Sequence, residues 1–154
     1  MLIIVPICTC LGVNWVSFHP TLPVLVSSSD DHQVKVWRFD EDSAWEVDCC
    51  IGHHAQVSCV MFNSQASFIL SASEDGSVRV WDVVKRTCLE SFHHENDKLW
   101  SLAVHPSESL FAVGHDSGLM VFKLERERPP YCVRKNHVVY MKDKQLRLLD
   151  FEKR

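Results

Sequence analysis

An internal repeat of about 42 residues is the feature that most restricts how this chain can fold. One pattern is shared by three segments, VLVSSSDDHQVKVW at 24–37, ILSASEDGSVRVW at 69–81 and LFAVGHDSGLMVF at 110–122. Each segment is an apolar run, a polar turn that contains an aspartate, and a run in which polar and apolar residues alternate. The aromatic residues that close the three segments are 44 and 41 residues apart. A repeat of this length predicts a fold built from copies of one small structural unit.

Each repeat predicts a β-hairpin with one further strand on either side. Alternating polarity is typical of a half-buried strand, and the turns hold residues that tolerate a positive φ or bond their own backbone. These turns are Asp30-Asp31-His32, Glu74-Asp75-Gly76 and Asp116-Ser117-Gly118. The outer strands are predicted at 13–18, 56–62 and 99–104 before the hairpins, and at 44–48, 87–91 and 131–134 after them. No stretch keeps apolar residues at helical spacing, and so we expect an all-β chain.

Four strands in a unit of about 42 residues resemble the blade of a WD-repeat β-propeller. The sequence therefore predicts a partial WD40 propeller of three four-stranded blades, at 12–50, 51–93 and 94–136. An atypical start, 1–11, precedes the blades, and a C-terminal hairpin, 137–154, follows them. Propeller rings contain more than three blades. We therefore expect the end sheets of this chain to expose apolar faces that promote self-association.

The middle repeat contains the residues of a buried hydrogen-bond network. The network is predicted to run from the Trp81 indole N–H through the Ser71 hydroxyl and the His53 imidazole to the Asp75 carboxylate. Each group supplies what the next lacks, because indole only donates, carboxylate only accepts, and serine and histidine do both. Buried polar groups that satisfy one another in this way fix the geometry of a blade.

The other two repeats hold only part of this network. The first repeat keeps Asp31 and Trp37, but Thr9 stands where the histidine of a Gly-His pair should fall. The third repeat keeps Asp116, yet Phe122 replaces the tryptophan. We therefore expect only the middle blade to contain the complete hydrogen-bond network.

The middle network also matches the members of a serine-hydrolase triad, His53, Ser71 and Asp75. A nucleophilic serine must be exposed at a sharp turn, whereas Ser71 is predicted inside an alternating strand, and an aspartate recurs in every repeat. Repetition favours an architectural role over a catalytic one. Since the sequence offers no unrepeated cluster of acid, base and nucleophile, we predict no enzyme activity and no cofactor.

A zinc site is a second alternative, for the cluster Cys49, Cys50, His53, His54 and Cys59. The spacing lacks the paired C-x2-C of a zinc knuckle, and His53 cannot turn to a metal if it bonds an aspartate. We therefore predict no metal site. The seven cysteines show no regular disulfide framework, which favours reduced thiols in a cytosolic protein.

Charge and hydropathy exclude two further classes of function. The net charge of −4 arises from 16 basic and 20 acidic residues that are mixed along the chain. No basic patch would gather phosphate backbones, and so we predict no nucleic-acid partner. The apolar start, 1–13, lacks the basic residues of a signal peptide and is too short to span a membrane.

Six segments of the chain carry a closer resemblance to one family of WD-repeat proteins. They are GVNWVSFHPTLP at 12–23, DDHQVKVWR at 30–38, AWEVD at 44–48, VSCVMF at 57–62, SEDGSVRVWD at 73–82 and GHDSGLMVFKLERERPPY at 114–131. These segments resemble the coatomer alpha subunits, which are scaffold proteins of the COPI vesicle coat. The last segment is the most specific, because WD dipeptides are common to many proteins and VFKLERERP is not. The resemblance covers 12–151 and implies the last three blades of one propeller followed by the first strands of a second.

The resemblance implies a subunit of the coat on Golgi-derived vesicles, which returns proteins to the endoplasmic reticulum and moves them within the Golgi. Such a subunit is cytoplasmic and reaches the membrane only peripherally, through the coat. Its implied partners are the other coatomer subunits. Residues that bind cargo tails in the family lie mainly in earlier blades, and so none is assigned here. The alternative function is that of a WD-repeat adaptor for protein interactions that is unrelated to vesicle coats.

Overall fold

The computed structural model describes residues 11–94 and 96–124, together with the backbone of three later strands. All regular structure in these residues is β-strand, which confirms the predicted all-β class. The described part of the chain contains no helix that could cross a membrane. The strands up to residue 124 are β1 (Val13–Phe18), β2 (Val24–Ser29), β3 (Gln33–Phe39), β4 (Ala44–Ile51), β5 (Val57–Phe62), β6 (Phe68–Ser73), β7 (Ser77–Asp82), β8 (Cys88–His93), β9 (Leu99–Val104), β10 (Leu110–His115) and β11 (Gly118–Lys123). Three more strands follow, β12 (Tyr131–Arg134), β13 (His137–Lys142) and β14 (Gln145–Asp150).

The first eight strands form two antiparallel four-stranded sheets in chain order. The first sheet has the order β1-β2-β3-β4 and the middle sheet has the order β5-β6-β7-β8, as expected for two propeller blades. The register of the first sheet shifts between Val36 and Trp37, and that of the middle sheet shifts between Val80 and Trp81. An irregularity at the same place in both sheets shows that they are copies of one structural unit.

The third sheet has the order β11-β10-β9, and here the sequence-based prediction is wrong in one respect. The strand expected at Tyr131–Arg134 as the fourth strand of this sheet does form. However, it pairs with His137–Lys142 in a separate sheet of order β12-β13-β14. Only two residues separate β12 from β13, so the two strands make a local hairpin with little loss of chain entropy. The chain accordingly divides into two compact units, 1–124 and 125–154.

The third hairpin has a shorter turn than the other two. Three residues connect the strands in the first two hairpins, at 30–32 and 74–76, whereas Asp116 and Ser117 alone separate β10 from β11. When the repeats are aligned from the strand before the turn, Asp116 therefore falls one position earlier than Asp75. This shift changes which groups Asp116 can contact.

Two apolar clusters, one on either side of the middle sheet, hold the three sheets of the first unit together. The first cluster joins the first and middle sheets and consists of Val26, Val34, Val36, Cys50, Val57, Val60, Phe62, Ile69 and Trp81. The second cluster joins the middle and third sheets and consists of Cys59, Leu70, Ala72, Val78, Val80, Leu99, Leu102, Phe111 and Val113. Alternation along β6 sends Ile69 to one cluster and Leu70 to the other. The middle sheet is therefore covered on both faces.

Each end sheet exposes apolar side chains on the face that is turned away from the middle sheet. On β1, Val16 and Phe18 are 46% and 64% exposed, on the side of the sheet opposite to buried Val26. On β11, Leu119 and Val121 are 67% and 64% exposed. Apolar faces of this kind mark surfaces that normally need a covering partner.

We expect the 154-residue chain to self-associate at micromolar concentration, because association buries these two faces. Static light scattering should give a mass above that of the 17.7 kDa monomer. Phe18→Glu and Val121→Glu, which each charge one face, should lower that mass. Val84→Glu, at a turn residue that is 87% exposed, is the matched control and should not lower it. A monomer that melts in one sharp transition would contradict the expectation.

Candidate functional site

The predicted network residues of the middle sheet lie in one continuous hydrogen-bonded series. Trp81 Nε1 donates to Ser71 Oγ at 2.8 Å, and Ser71 Oγ lies 2.7 Å from His53 Nε2. His53 Nδ1 lies 3.1 Å from Asp75 Oδ2 at the other end. The His53 and Trp81 rings meet edge to face, with their centroids 6.0 Å apart. His53, Ser71 and Trp81 are all buried, so each polar group depends on its neighbour in the series.

Asp75 is the acceptor at the end of this series, and its carboxylate has further donors. Ser77 Oγ donates to it at 2.5 Å, and the backbone N–H groups of His54 and Ser77 donate at 2.9 Å. Burial alone would raise the pKa of Asp75. Hydrogen bonds from His53 and Ser77 outweigh burial and hold that pKa well below its usual range. The carboxylate is therefore charged at neutral pH.

Burial lowers the pKa of His53, against the opposing hydrogen bond and charge of Asp75. The neutral imidazole then donates from Nδ1 to the carboxylate and accepts at Nε2 from Ser71, whose oxygen accepts from Trp81. Every donor in the series meets one acceptor. Because none is left over, the arrangement suits the fixing of a blade.

The position of Ser71 argues against the hypothesis of a serine-hydrolase triad. Ser71 is completely buried in β6, and its hydroxyl is bonded to both His53 and Trp81. A nucleophile must instead be accessible to its substrate. The triad is therefore not assembled for catalysis.

The first sheet contains a reduced version of the network. Trp37 Nε1 donates to Ser27 Oγ at 2.9 Å, which repeats the Trp81–Ser71 hydrogen bond. Asp31 accepts from the backbone N–H of Gln33 at 3.1 Å. Thr9, which occupies the position of the missing histidine, lies outside the described residues. Within the described part of the sheet, Trp37 and Asp31 therefore make separate hydrogen bonds and are not joined in one series.

Asp116 of the third sheet does not take the role of Asp75. It accepts from Trp100 Nε1 at 2.6 Å and from the backbone N–H of Lys98 at 3.1 Å, at the protein surface. The shorter turn explains the difference, because it gives Asp116 the position of Asp30, which accepts from Asn14 at 2.8 Å in the first sheet. In the sequence, each repeat has its aspartate six residues before the closing aromatic residue, and this shared spacing could not reveal the shift.

A second carboxylate, which sequence analysis missed, does bond a histidine in the third sheet. Asp97 lies between β8 and β9, and its Oδ2 is 2.7 Å from Nδ1 of His115. Ser117 Oγ donates to Asp97 Oδ1 at 2.8 Å, as Ser77 donates to Asp75. His94 also lies beside this carboxylate, with Nδ1 3.5 Å from Oδ2. The one available signal was that His94 stands 28 residues before Phe122, as His53 stands before Trp81.

Among the cysteine and histidine residues considered as a zinc site, His53 is already engaged in hydrogen bonds. Both ring nitrogens of His53 are hydrogen-bonded. Burial raises the pKa of Cys50 to about 12 and that of Cys59 to about 11, so neither is a thiolate at neutral pH. The cysteines in the described residues, Cys49, Cys50, Cys59 and Cys88, are free.

Comparison with known protein families matches three stretches of the chain. The WD domain, G-beta repeat, is found at residues 6–38, 45–82 and 86–123. The third match ends at the last residue of β11. Together with the sheets described above, these matches confirm the partial WD40 propeller that the repeat pattern predicts.

Curated relatives are coatomer alpha subunits. Coatomer subunit alpha-2 of Oryza sativa subsp. japonica is 54% identical over 140 residues, which cover 91% of this chain and 12% of the relative. Coatomer subunit alpha of Saccharomyces cerevisiae is 50% identical over 144 residues, which cover 93% of this chain and 12% of the relative. The resemblance seen in the sequence motifs is confirmed. The chain spans 12% of the length of these two relatives.

A solved structure shares the fold without close sequence similarity. The crystal structure of Saccharomyces cerevisiae Sqt1 aligns with a TM-score of 0.69 at 20% identity. The alignment covers 76% of this chain and 33% of that chain. At this level of identity the likeness concerns the fold alone.

Asp75→Ala should destabilise the protein more than Asp116→Ala. The first change leaves the buried His53 without an acceptor, whereas water can replace Asp116 at the surface. We expect the free energies of unfolding to differ by roughly 1 to 3 kcal/mol. Urea unfolding of the two variants measures this difference, and equal losses would contradict the proposed role of the network.

The network should also make stability depend on pH. The pKa of His53 is lower in the folded protein than in the unfolded chain, where it is about 6.5. Below that pH the unfolded chain binds a proton that the folded protein does not, so the free energy of unfolding falls as pH falls. His53→Gln removes this contribution and should therefore lose less stability than the unmodified protein between about pH 7 and about pH 5.5. Thermal unfolding at both pH values tests this, and identical pH dependence in the two proteins would refute it.

Proposed function

We propose that this chain, which belongs to the WD domain, G-beta repeat family, is a non-catalytic scaffold segment of a coatomer alpha subunit. In this role it forms part of the COPI coat in transport from the Golgi to the endoplasmic reticulum and within the Golgi. It is cytoplasmic and associates with the membrane only peripherally, through the coat. Its partners are the other coatomer subunits.

The observation that carries this proposal is the extent of the similarity to coatomer alpha subunits. The WD repeats account for the hairpins, but the similarity to the rice relative extends over 91% of the chain. A general WD-repeat adaptor would share the turn residues and the closing aromatic residues, and it would differ in the connecting segments. Identity of 54% over both kinds of segment therefore favours the coat protein over the adaptor.

The distribution of polar groups supports a scaffold over an enzyme. The buried serine, histidine and aspartate of the middle sheet are all used to satisfy one another. What the first unit presents instead are the apolar faces of its two end sheets, with Phe18 and Val121 among the most exposed apolar residues. Such faces suit contact with neighbouring blades or with partner proteins. No residue is assigned to cargo binding.

We extend the proposal to the arrangement of domains. The blades assigned from sequence to 12–50, 51–93 and 94–136 end one propeller, the third of them closing before Tyr131, and the strands from Tyr131 onward begin a second. The separate sheet of β12, β13 and β14 supports this division. Since that sheet starts at Tyr131, the second propeller begins a few residues before 137–154, the hairpin assigned to it from sequence.

Affinity capture from cytosol tests the coat assignment. The tagged chain should recover the other coatomer subunits, identified by mass spectrometry. A tagged three-blade segment of an unrelated WD-repeat protein is the matched control, because it exposes similar apolar end faces. Recovery of coatomer subunits by this chain alone supports the proposal. Equal recovery by both chains, or recovery only of proteins outside the coat, would contradict it and favour the adaptor.

A further inference from the structure

Three side chains of the types that bind metal ions meet at one end of the third sheet. His94 and Asp97 lie in the connection between β8 and β9, and His115 is the last residue of β10. Asp97 Oδ2 lies 2.7 Å from His115 Nδ1 and 3.5 Å from His94 Nδ1. The candidate ligand atoms of the three residues all lie within 4.8 Å of one another. The two imidazole rings face each other at an angle of 35°, with their centroids 4.9 Å apart.

The network of the middle sheet shows what this cluster lacks. Both nitrogens of His53 are hydrogen-bonded, and the carboxylate of Asp75 accepts from two backbone N–H groups as well as from side chains. In the third sheet, by contrast, Nδ1 of His94 is enclosed by protein and has no hydrogen-bond partner within the described residues. An enclosed polar atom without a partner is costly. A bound cation would remove that cost.

The backbone fixes the position of His94 independently of its side chain. The His94 N–H donates to the carbonyl oxygen of Gly76 in the middle sheet at 2.9 Å. A side chain at Gly76 would collide with this segment, because a Cβ there would lie 2.6 Å from the His94 carbonyl oxygen. The close approach of the two backbones therefore fixes the backbone of His94 against the turn of the middle sheet. His115 is likewise fixed, because it is the last residue of β10.

We propose that His94, Asp97 and His115 bind a divalent transition-metal ion, with Zn²⁺ as the best fit. Neutral imidazole and carboxylate are ligands that Zn²⁺ prefers, and three protein ligands with one open position is a common arrangement. Ligands at tetrahedral zinc are about 3.3 Å apart, as follows from zinc–ligand distances of about 2.0 to 2.1 Å. The 3.5 Å between His94 Nδ1 and Asp97 Oδ2 is close to that separation. His115 Nδ1 and Asp97 Oδ2 are 2.7 Å apart, so the metal must replace the proton of their hydrogen bond and the two atoms must separate by about 0.6 Å.

A neighbouring hydroxyl orients the carboxylate for this role. Ser117 Oγ donates to Asp97 Oδ1 at 2.8 Å, which leaves Oδ2 directed at the two histidines. Hydrogen bonds to ligating carboxylates are a regular feature of metal sites, and their loss weakens binding. Ser117 is therefore a positioning residue for the proposed site.

The bound ion would stabilise the third sheet, which lacks the tryptophan-to-serine hydrogen bond of the other two sheets. Phe122 stands in the place of Trp81 and has no N–H, so the tryptophan-to-serine hydrogen bond cannot form there. Hydrogen bonds from His115 and Ser117 to Asp97 already join the β8–β9 connection to the hairpin of β10 and β11, and a metal ion would add His94 to this link. The sequence-based prediction of no metal site concerned the cysteine and histidine cluster around His53, whereas Asp97 lies outside the repeated positions.

Titration of the full chain with Co²⁺ and with Zn²⁺ tests the proposal. Co²⁺ should give the visible absorption of a four-coordinate site, and Zn²⁺ should displace it and raise the Tm. His94→Ala is the decisive variant, because His94 makes no side-chain hydrogen bond whose loss would disturb folding. It should weaken Co²⁺ binding by more than about tenfold. The matched control, His93→Ala, removes the adjacent histidine and should bind Co²⁺ as the unmodified protein does.

Two further measurements separate the site from alternatives. Ser117→Ala should weaken binding by about tenfold while circular dichroism shows an intact fold. Ligation by cysteine would appear as intense near-ultraviolet absorption from thiolate to Co²⁺, and that spectrum would overturn the proposal. Equal affinity in His94→Ala and in the unmodified protein, or no four-coordinate spectrum at saturating Co²⁺, would also overturn it.

Discussion

The structure depends on the burial of both faces of the middle sheet. Alternate residues of β6 and β7 belong to two separate apolar clusters. The remaining residues of each cluster come largely from a neighbouring sheet. A blade thus contributes to a core only when another blade lies beside it. The end sheets have one neighbour each in this unit, which explains why Phe18 and Val121 remain exposed. The same constraint makes the segment suited to a role inside a larger assembly, where other surfaces cover those faces.

Polar networks differ among the three sheets, although consecutive strands pair in the same antiparallel order in each. The middle sheet joins Trp81 to Asp75 through two buried side chains, and the first sheet keeps only the tryptophan-to-serine step. In the third sheet a carboxylate from outside the hairpin, Asp97, bonds a histidine at the end of β10. Apolar packing therefore sets the architecture. The polar groups determine how firmly each sheet is fixed and which polar side chains remain without a hydrogen-bond partner.

The period of the sequence predicts the strands well, because alternating burial along a strand leaves a period of two in hydropathy. Donor and acceptor chemistry likewise predicts which four residues come together in the middle sheet. The single-residue deletion in the third turn is harder to recognise, since it shifts Asp116 without changing the pattern. Asp97, in the segment between β8 and β9, bonds side chains of the third sheet. Strand β12 pairs with β13, the next strand in the chain, and not with the third sheet. Both outcomes depend on three-dimensional proximity that no repeat pattern contains.

Amide hydrogen exchange tests the central claim, that coverage by neighbouring sheets determines the stability of each blade. It should be measured below the concentration at which light scattering detects association. The comparison is between equivalent inner strands, which are hydrogen-bonded on both edges in both four-stranded sheets: β6 and β7 in the middle sheet, and β2 and β3 in the first. The account predicts slower exchange in β6 and β7, because opening them exposes two apolar faces and opening the others exposes one. Equal protection in the two pairs, or slower exchange in β2 and β3, would contradict it.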